Sequence, residues 1–268
     1  MNQMNWPPFL VRESADVYHA QAGEFLASHL LADFRKCPEL YHRRRLGLVP
    51  DSDTPAYVLG RAAHTLILEG RAAFAAAYAV GSPLNPKTQA PFGRTTKAFQ
   101  EWAEAQGKPV LSAEEAAAVE RLNFRVEAHP TAPRLLAGAV TEGVCRTEYL
   151  GVPCQVRPDA FHLEHGVVDL KTCDDLTWFE ADARRYGYLY QVAFYRAVLR
   201  AAAVQTWPVH FLAVEKKEPF RVGVWQVAAS ALDFAEAENA AALERLKQCQ
   251  AANEWPHGYE TVRVFDSV

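Results

Sequence analysis

The sequence predicts an α/β fold in which a central mixed β-sheet is flanked by helices. Segments with the apolar spacing of helices fill the first half of the chain, and the strand-like segments begin only near residue 144. One long helical segment separates two groups of strands, and an alanine-rich helical segment follows the last strand. Helices that cover a sheet bury the apolar faces of both kinds of element, which favours this α/β architecture.

Four helices are predicted before the first strand from their apolar spacing and end signals. The second contains Glu69-Gly70-Arg71, where we expect an interruption, and the fourth begins at Ser112, a good N-cap with two glutamates in the turn that follows. The third lies inside residues 81–109, a segment with several prolines and glycines that predicts a long loop. The predicted ranges are 28–46, 57–78, 96–106 and 112–128.

The later elements alternate between strands and helices. The polar residues Glu164-His165-Gly166 separate two apolar segments and indicate a hairpin turn. The predicted strands are residues 144–150, 154–163, 167–172, 209–214 and 221–227, and the predicted helices are residues 178–202 and 230–252.

Length and composition favour one domain. The chain has 268 residues, of which 50% are hydrophobic, enough to bury a substantial core. We therefore expect a single domain over residues 1–268, with residues 1–24 flexible or peripheral. No apolar run approaches the roughly eighteen residues of a membrane span, and the N-terminus lacks a basic region followed by an apolar one. These features predict a cytoplasmic protein without a membrane partner.

The cysteine pattern argues against two kinds of structural cross-link. The five cysteines are widely separated, odd in number and free of any C-x-x-C pair, so we expect neither a zinc site nor a disulfide framework. They are Cys37, Cys145, Cys154, Cys173 and Cys249.

Two carboxylates and a lysine flank the predicted hairpin. Asp169 and Lys171 are one residue apart, so in a strand their side chains leave the same face, while Leu170 enters the core. Asp159, after Pro158, lies in the other predicted strand, residues 154–163. Carboxylate oxygens are ligands for a hard cation such as Mg²⁺, and a neighbouring lysine can orient a water or offset transition-state charge. A surface ion pair is the alternative interpretation of an isolated Asp-x-Lys.

The spacing Asp159, nine residues, then Asp169-Leu170-Lys171 resembles the catalytic signature of the PD-(D/E)xK nuclease superfamily. The resemblance extends to residues 37–43 (CPELYHR), 60–70 (GRAAHTLILEG) and 186–195 (YGYLYQVAFY), which are similar to the phage-type branch that includes the nuclease domain of exonuclease VIII. Lambda exonuclease and the RecB-like and Cas4-like nucleases are more distant relatives. The resemblance implies the restriction-endonuclease-like core of this superfamily.

The resemblance implies a metal site and a catalytic group. His64 stands on a predicted helix face where a core histidine would be the ordinary interpretation, and the family uses a histidine at the matching place as a metal ligand. Asp159, Asp169 and Leu170 complete the expected ligand set for Mg²⁺, and the imidazole suggests that Mn²⁺ is tolerated. Asp159, Asp169 and Lys171 are the expected catalytic residues. Glu148 is added because many superfamily members have an acidic residue upstream, although the turn after it left its side of the sheet open.

A second set of residues is expected to contact DNA. Gln191 and Tyr195 are four residues apart in the predicted helix 178–202, and Arg184 continues their row. An amide buried among aromatic residues needs a partner, which favours a functional role for Gln191, with Tyr195 in support. Arg157, beside Pro158-Asp159, joins this set.

The expected activity is that of a Mg²⁺-dependent exonuclease that resects one strand of duplex DNA from its end, by resemblance in the 5′ to 3′ direction. A single-strand annealing protein and a ring-shaped homo-oligomer are further implications of the resemblance. The alternatives are a Cas4-like exonuclease on single-stranded DNA and a nuclease-fold protein that binds nucleic acid without cutting. Some relatives hold an iron–sulfur cluster with three cysteines near the C-terminus, but only Cys249 lies there, so we expect no cluster.

The net charge of −4 is unusual for a protein that binds DNA. A basic groove on an otherwise acidic surface would reconcile the two. The sequence clusters Arg43-Arg44-Arg45 in one place and Arg184-Arg185 in another, and either cluster could line such a groove or form a solvated helix end.

Overall fold

A five-stranded mixed sheet forms the centre of the computed structural model, which describes residues 6–49 and 55–264. The strands are β1 (Ala79–Val80), β2 (Val110–Leu111), β3 (Val140–Thr141), β4 (Cys145–Tyr149), β5 (Val152–Val156), β6 (Ala160–His162), β7 (Gly166–Cys173), β8 (Val209–Glu215) and β9 (Val222–Gln226). The central sheet has the order β3-β6-β7-β8-β9, with β7 and β8 parallel and its other pairs antiparallel. The predicted α/β architecture with a mixed sheet is confirmed.

Helices cover both faces of this sheet. They are α1 (Ala15–Ala20), α2 (Ser28–Lys36), α3 (Pro38–Arg45), α4 (Pro55–His64), α5 (Gly70–Ala77), α6 (Lys97–Gln106), α7 (Ala113–Glu127), α8 (Ala132–Leu136), α9 (Phe179–Arg185), α10 (Tyr188–Ala203) and α11 (Ala229–Ala252). A π-helical turn, Thr65–Glu69, joins α4 to α5. No helix among the described residues is long and apolar enough to cross a membrane.

The side chains of β7 alternate between two apolar cores. Val168 and Leu170 pack with α4, α5 and α7 on one face of the sheet. Val167 and Cys173 pack with α2, α10 and α11 on the other. Asp169 and Lys171 have the parity of this second set, so they leave the sheet on the α10 side, as the period of two in a strand requires.

Two predicted helices are each broken in two. The predicted helix 28–46 ends at Lys36, because Cys37 adopts an extended conformation (φ −165°, ψ 110°) and caps α3, whose first residue is Pro38. A proline is tolerated at the first position of a helix and disrupts a helix interior. The predicted helix 178–202 is broken at Gly187, whose left-handed φ of 74° separates α9 from α10. By contrast, the interruption expected at Glu69-Gly70-Arg71 is present, with Gly70 at φ 85°.

Part of the segment expected to be flexible or peripheral, residues 1–24, packs against the rest of the protein. Leu10 and Tyr18 are 4% and 6% exposed within the core on the α10 side. Val11 pairs with Val144 through two backbone hydrogen bonds of 2.8 and 2.9 Å. Residues 1–5 lie outside the described part of the chain. Apolar residues spaced along this segment supply enough buried surface to hold it in place.

Candidate active site

The β6–β7 hairpin places both predicted aspartates at one end of the central sheet. Asp159 immediately precedes β6, and the next residue, Ala160, pairs with Val168 of β7. The hairpin requires glycine at position 166, where φ is 72° and an added Cβ would lie 2.0 Å from the carbonyl oxygen of Pro208. Because the register is fixed at this turn, Asp159, just before β6, lies at the same end of the sheet as Asp169 of β7.

The backbone of β7 holds Asp159 directly. The amide of Leu170 donates a hydrogen bond of 2.6 Å to Asp159 Oδ2, so Leu170 meets the site through its main chain. The same oxygen lies 3.7 Å from His64 Nδ1, and the C-terminal residue of α4 therefore meets the hairpin. Within β7 itself, Lys171 Nζ lies 2.6 Å from Asp169 Oδ2.

Helix α10 contributes an amide to this cluster. Lys171 Nζ donates a hydrogen bond of 3.1 Å to Gln191 Oε1, and Gln191 Nε2 donates one of 2.8 Å to the hydroxyl of Tyr195. The Lys171 ammonium also lies 4.7 Å from the ring centre of Tyr188. The spacing of four residues therefore places Gln191 and Tyr195 on the helix face that meets β7, and the Tyr195 hydroxyl orients the amide.

Glu142 is a site residue that the sequence did not reveal. It follows β3, and its amide donates a hydrogen bond of 3.1 Å to the carbonyl oxygen of Asp159. Oxygens of Glu142 and Asp159 and a nitrogen of His64 lie within 4.8 Å of one another. Arg157 approaches through an ion pair of 2.8 Å between its Nη1 and Glu142 Oε2. The available sequence signal for Glu142 was that it is the one charged residue in the segment from Val140 to Val144, whose other members are apolar or small.

Glu148 and Arg184 do not join this cluster. Glu148 is exposed on β4, which pairs with β5 in a separate two-stranded sheet where Glu148 lies opposite Pro153. The turn at Leu150 and Gly151, both with positive φ, sets this register. Arg184 is exposed on α9, and the break at Gly187 removes it from the row of Gln191. Neither residue lines the cleft around Asp159.

The cluster lies at the bottom of a cleft with a volume of about 1060 Å³. Its basic lining residues are few, and the arginine triplet is not among them. Arg44 pairs with Asp33, Arg45 donates to the backbone of Ala22, and Arg43 pairs with Glu39. The triplet therefore stabilises the end of α3 and its neighbours. Within the described part of the chain, the lysines and arginines that line the cleft are Arg61, Arg157, Lys171 and Lys216.

Burial and mutual repulsion shift the pKa values of the carboxylates in the site. Burial raises the pKa of Asp169 to about 6, with Lys171 opposing the rise and Asp159 adding to it. Burial and the nearby Asp159 raise the pKa of Glu142 to about 8. Burial would also raise the pKa of Asp159, but His64, Lys171 and the Leu170 amide together lower it. Burial and repulsion between neighbouring carboxylates thus favour the neutral forms of Asp169 and Glu142, whereas the contact with His64 favours the ionised form of Asp159.

Two groups near the carboxylates are held in defined protonation states. Burial alone would lower the pKa of Lys171, yet Asp169 and Asp159 raise it, so the ammonium stays charged. Burial raises the pKa of Tyr195 well above its ordinary value, so its hydroxyl remains neutral and can accept the hydrogen bond from Gln191.

These residues fit a divalent cation. Asp169 is 1% exposed, and neither of its carboxylate oxygens accepts a well-aligned hydrogen bond from the described residues, although one lies beside Lys171. The Lys171 ammonium contacts only one of the two oxygens, so the buried carboxylate keeps lone pairs that a divalent cation would satisfy. The oxygen donors of Asp159, Asp169 and Glu142 suit Mg²⁺, and the nitrogen of His64 also suits Mn²⁺.

A second group of possible ligands lies at the far end of β7. His162, Glu164 and His165 surround the hairpin turn. There, His162 Nδ1 accepts hydrogen bonds from the amides of Glu164 and His165, at 3.0 and 3.3 Å. That lone pair already stabilises the turn, so the geometry fits a metal less well than the site around Asp159.

Comparison with known proteins agrees with this geometry. Residues 27–267 match the family model described as a PDDEXK-like domain of unknown function (DUF3799). The chain belongs to this PDDEXK-like family. The superfamily predicted from the Asp159 to Lys171 motif is thereby confirmed. No curated protein matches the sequence.

A solved structure shares the fold of this chain. The crystal structure of a candidate exonuclease from Eubacterium rectale aligns with a TM-score of 0.70 and 15% identity, over 96% of both chains. Two structures of LHK-Exo, an alkaline exonuclease from Laribacter hongkongensis, align with TM-scores of 0.29 and 0.28 and identities of 17% and 14%. They cover 60% and 59% of this chain and 88% of each LHK-Exo chain, and the first contains dAMP.

Proposed function

We propose that this PDDEXK-like protein is a metal-dependent DNA exonuclease. The observation that carries the proposal is the buried Asp169 carboxylate, which lacks aligned hydrogen-bond donors and stands beside both Asp159 and the charged Lys171. A site that hydrolyses phosphodiesters needs anionic ligands for a cation and a fixed positive charge for the transition state, and this cluster supplies both. The likeness in fold to a candidate exonuclease supports the same activity.

His64, Asp159 and Glu142, whose ligand atoms lie within 4.8 Å of one another, would hold the cation, with Asp169 as a further donor and Leu170 fixing Asp159 through its amide. A divalent cation bound there would polarise the scissile phosphoryl group and lower the pKa of the attacking water.

Lys171 offsets the charge that develops on the phosphoryl oxygens, because Asp169 and Asp159 keep its ammonium protonated. Gln191 fixes the ammonium position, and the neutral Tyr195 hydroxyl fixes Gln191. Arg157 is a further cation near the ligands and is oriented by Glu142.

The preferred substrate is the end of linear duplex DNA, degraded in the 5′ to 3′ direction, with Mg²⁺ as the cofactor and Mn²⁺ tolerated. This polarity rests on the similarity of residues 37–43, 60–70 and 186–195 to the exonuclease VIII branch. The same similarity motivates two further proposals, a ring-shaped homo-oligomer and a role in recombination with a single-strand annealing protein.

The test compares three substrates in Mg²⁺: linear duplex labelled at the 5′ end, the same duplex labelled at the 3′ end, and covalently closed circular duplex. The proposal predicts release of labelled mononucleotide first from the 5′-labelled duplex and no loss of the circle. Release only from single-stranded DNA would favour the Cas4-like alternative. Binding without release from any substrate would identify a non-cleaving nuclease fold and contradict the proposal.

A further inference from the structure

One wall of the cleft carries two neighbouring tyrosines. The ring centre of Tyr188 lies 4.7 Å from Lys171 Nζ, and the ring centre of Tyr186 lies 5.8 Å from that of Tyr188. Both tyrosines line the cleft, and the two rings are inclined by only 33°. Lys171, Tyr188 and Tyr186 therefore form a row that runs outward along the cleft. The two distances in this row are comparable to the separation of adjacent bases in an extended strand.

The backbone fixes Tyr186 at the junction of α9 and α10. Its amide donates to the carbonyl oxygen of Asp182 at 2.8 Å, and the amide of Gly187 donates to that of Arg184 at 3.2 Å. The left-handed φ of 74° at Gly187 turns the chain immediately after the tyrosine. A tight, hydrogen-bonded junction of this kind holds the side chain in one place without covering it.

The Tyr186 side chain is nevertheless open to solvent. It is 59% exposed, and its hydroxyl makes no hydrogen bond with the described residues. Arg185 lies with its guanidinium 5.5 Å from the ring centre, which adds positive charge beside the aromatic surface. An exposed aromatic residue alone is ordinary, but this one lies inside the cleft and adjoins the tyrosine that contacts Lys171.

We propose that Tyr186 is a stacking site for a nucleobase of the bound DNA strand, close to the phosphate that is cut. Stacking on an aromatic face accepts any base, so the site would grip the strand without selecting its sequence. Arg185 would add attraction to the backbone that follows the base. This inference rests on the proposed nuclease function, because it takes Lys171 as the marker of the scissile phosphate.

The chain offers a matched control for this site. Tyr259 is 71% exposed and also has an arginine beside it, with the Arg263 guanidinium 4.1 Å from its ring centre. It follows α11 in the C-terminal segment and does not line the cleft. Substitution of Tyr259 therefore removes an exposed, arginine-flanked tyrosine without touching the proposed stacking site.

The experiment uses linear duplex DNA with a short single-stranded overhang, phosphorothioate linkages, which slow cleavage, and 2-aminopurine in the overhang. Its fluorescence falls when the base stacks, and titration also gives the dissociation constant. We expect quenching with the wild-type protein, with Tyr186→Phe and with Tyr259→Ala. With Tyr186→Ala the quenching should disappear and binding should weaken about tenfold, within the range for one lost base stack. Replacing the 2-aminopurine nucleotide by an abasic one should weaken wild-type binding similarly.

Unchanged quenching in Tyr186→Ala, or equal wild-type affinity for the abasic strand, would overturn the stacking proposal. The nuclease proposal is judged separately by release of nucleotides from unmodified DNA. If the wild-type protein cuts DNA but Tyr186→Ala binds and quenches normally, only the stacking site is lost. If the wild-type protein neither cuts nor binds DNA, both proposals fail.

Discussion

Lys171 Nζ donates a hydrogen bond of 3.1 Å to Gln191 Oε1, and this contact joins the central strand of the sheet to helix α10 at the proposed reactive centre. The amide nitrogen of Gln191 is in turn held by the hydroxyl of Tyr195 at 2.8 Å. Tyr195 is 6% exposed, so it acts on Lys171 only through Gln191. We regard Tyr195 as a positioning residue and Lys171 as the group that meets the substrate.

Removing the Tyr195 hydroxyl should slow the reaction without weakening DNA binding. Tyr195→Phe leaves Gln191 Nε2 without its partner, and one lost hydrogen bond of about 1 kcal/mol corresponds to a roughly five-fold lower kcat with KM nearly unchanged. Steady-state kinetics on linear duplex DNA measure both constants. Tyr41→Phe removes a hydroxyl from another buried tyrosine and should leave kcat unchanged. An equal loss in both variants would reduce the Tyr195 effect to a general one on the fold.

His64 should control the affinity for the metal ion. The His64→Ala variant loses one of three donors that lie within 4.8 Å of one another, so half-maximal activity should need about tenfold or more Mn²⁺. His162→Ala, at the hairpin turn, alters the other group of possible ligands and should leave the Mn²⁺ titration unchanged. Identical titrations for wild type and His64→Ala would make His64 a structural residue of α4.

Glu142 and Glu148 give opposite predictions for the same substitution. Glu142 neighbours Asp159 and His64, whereas Glu148 is exposed on the separate β4–β5 hairpin. Glu142→Gln should therefore reduce activity at limiting Mg²⁺ by about tenfold or more, and Glu148→Gln should have no effect. Metal titrations of DNA cleavage at fixed substrate would show the difference. The reverse order would restore the prediction made from the sequence alone.

The metal-free protein should show the cost of ionising Asp169. Its pKa rises from 3.8 to about 6 in the folded state, so the folded protein binds this proton more tightly than the unfolded chain does. The contribution of Asp169 to the free energy of unfolding therefore falls as pH rises from about 4 to about 6. Asn cannot ionise, so the Tm of Asp169→Asn relative to wild type should increase over this pH range.

Thermal unfolding in EDTA at pH 4 and pH 7 measures this difference. Asp16→Asn, at an exposed aspartate of α1, provides the control and should show no such increase. A Tm difference for Asp169→Asn that is independent of pH would show that Asp169 ionises without penalty in the folded protein.

Local periodicity predicted which residues share a face in β7 and in α10, and the resemblance to the PD-(D/E)xK nucleases predicted that the two faces meet. Asp169 and Lys171 share a strand face because side chains alternate, and Gln191 and Tyr195 share a helix face because they are four residues apart. Both inferences need only the correct type of element. The wrong continuation of the row to Arg184 arose because Gly187, which an isolated helix tolerates at modest cost, adopts a left-handed φ here.

The sequence pointed to Glu148 as the additional acidic residue, whereas the structure brings Glu142 to the candidate site. The reason differs from that for Arg184. The position of Glu142 depends on a two-residue strand, Val140–Thr141, which pairs with β6 about twenty residues later in the sequence, and so short a strand leaves almost no periodic signal. Glu148 lies in a clearly alternating strand, but the turn at Leu150 and Gly151 pairs that strand in a separate hairpin. Long-range pairing decides such cases, and local propensity does not encode it.

The central claim is that Lys171, held charged beside Asp169, supplies electrostatic stabilisation to phosphodiester cleavage. The most direct measurement is the single-turnover rate of cleavage of linear duplex DNA by Lys171→Met in Mg²⁺, together with its Tm and DNA affinity. We predict a rate at least about 100-fold below wild type, with folding and DNA binding retained. A folded Lys171→Met protein that cuts DNA within a few-fold of the wild-type rate would contradict the proposed mechanism.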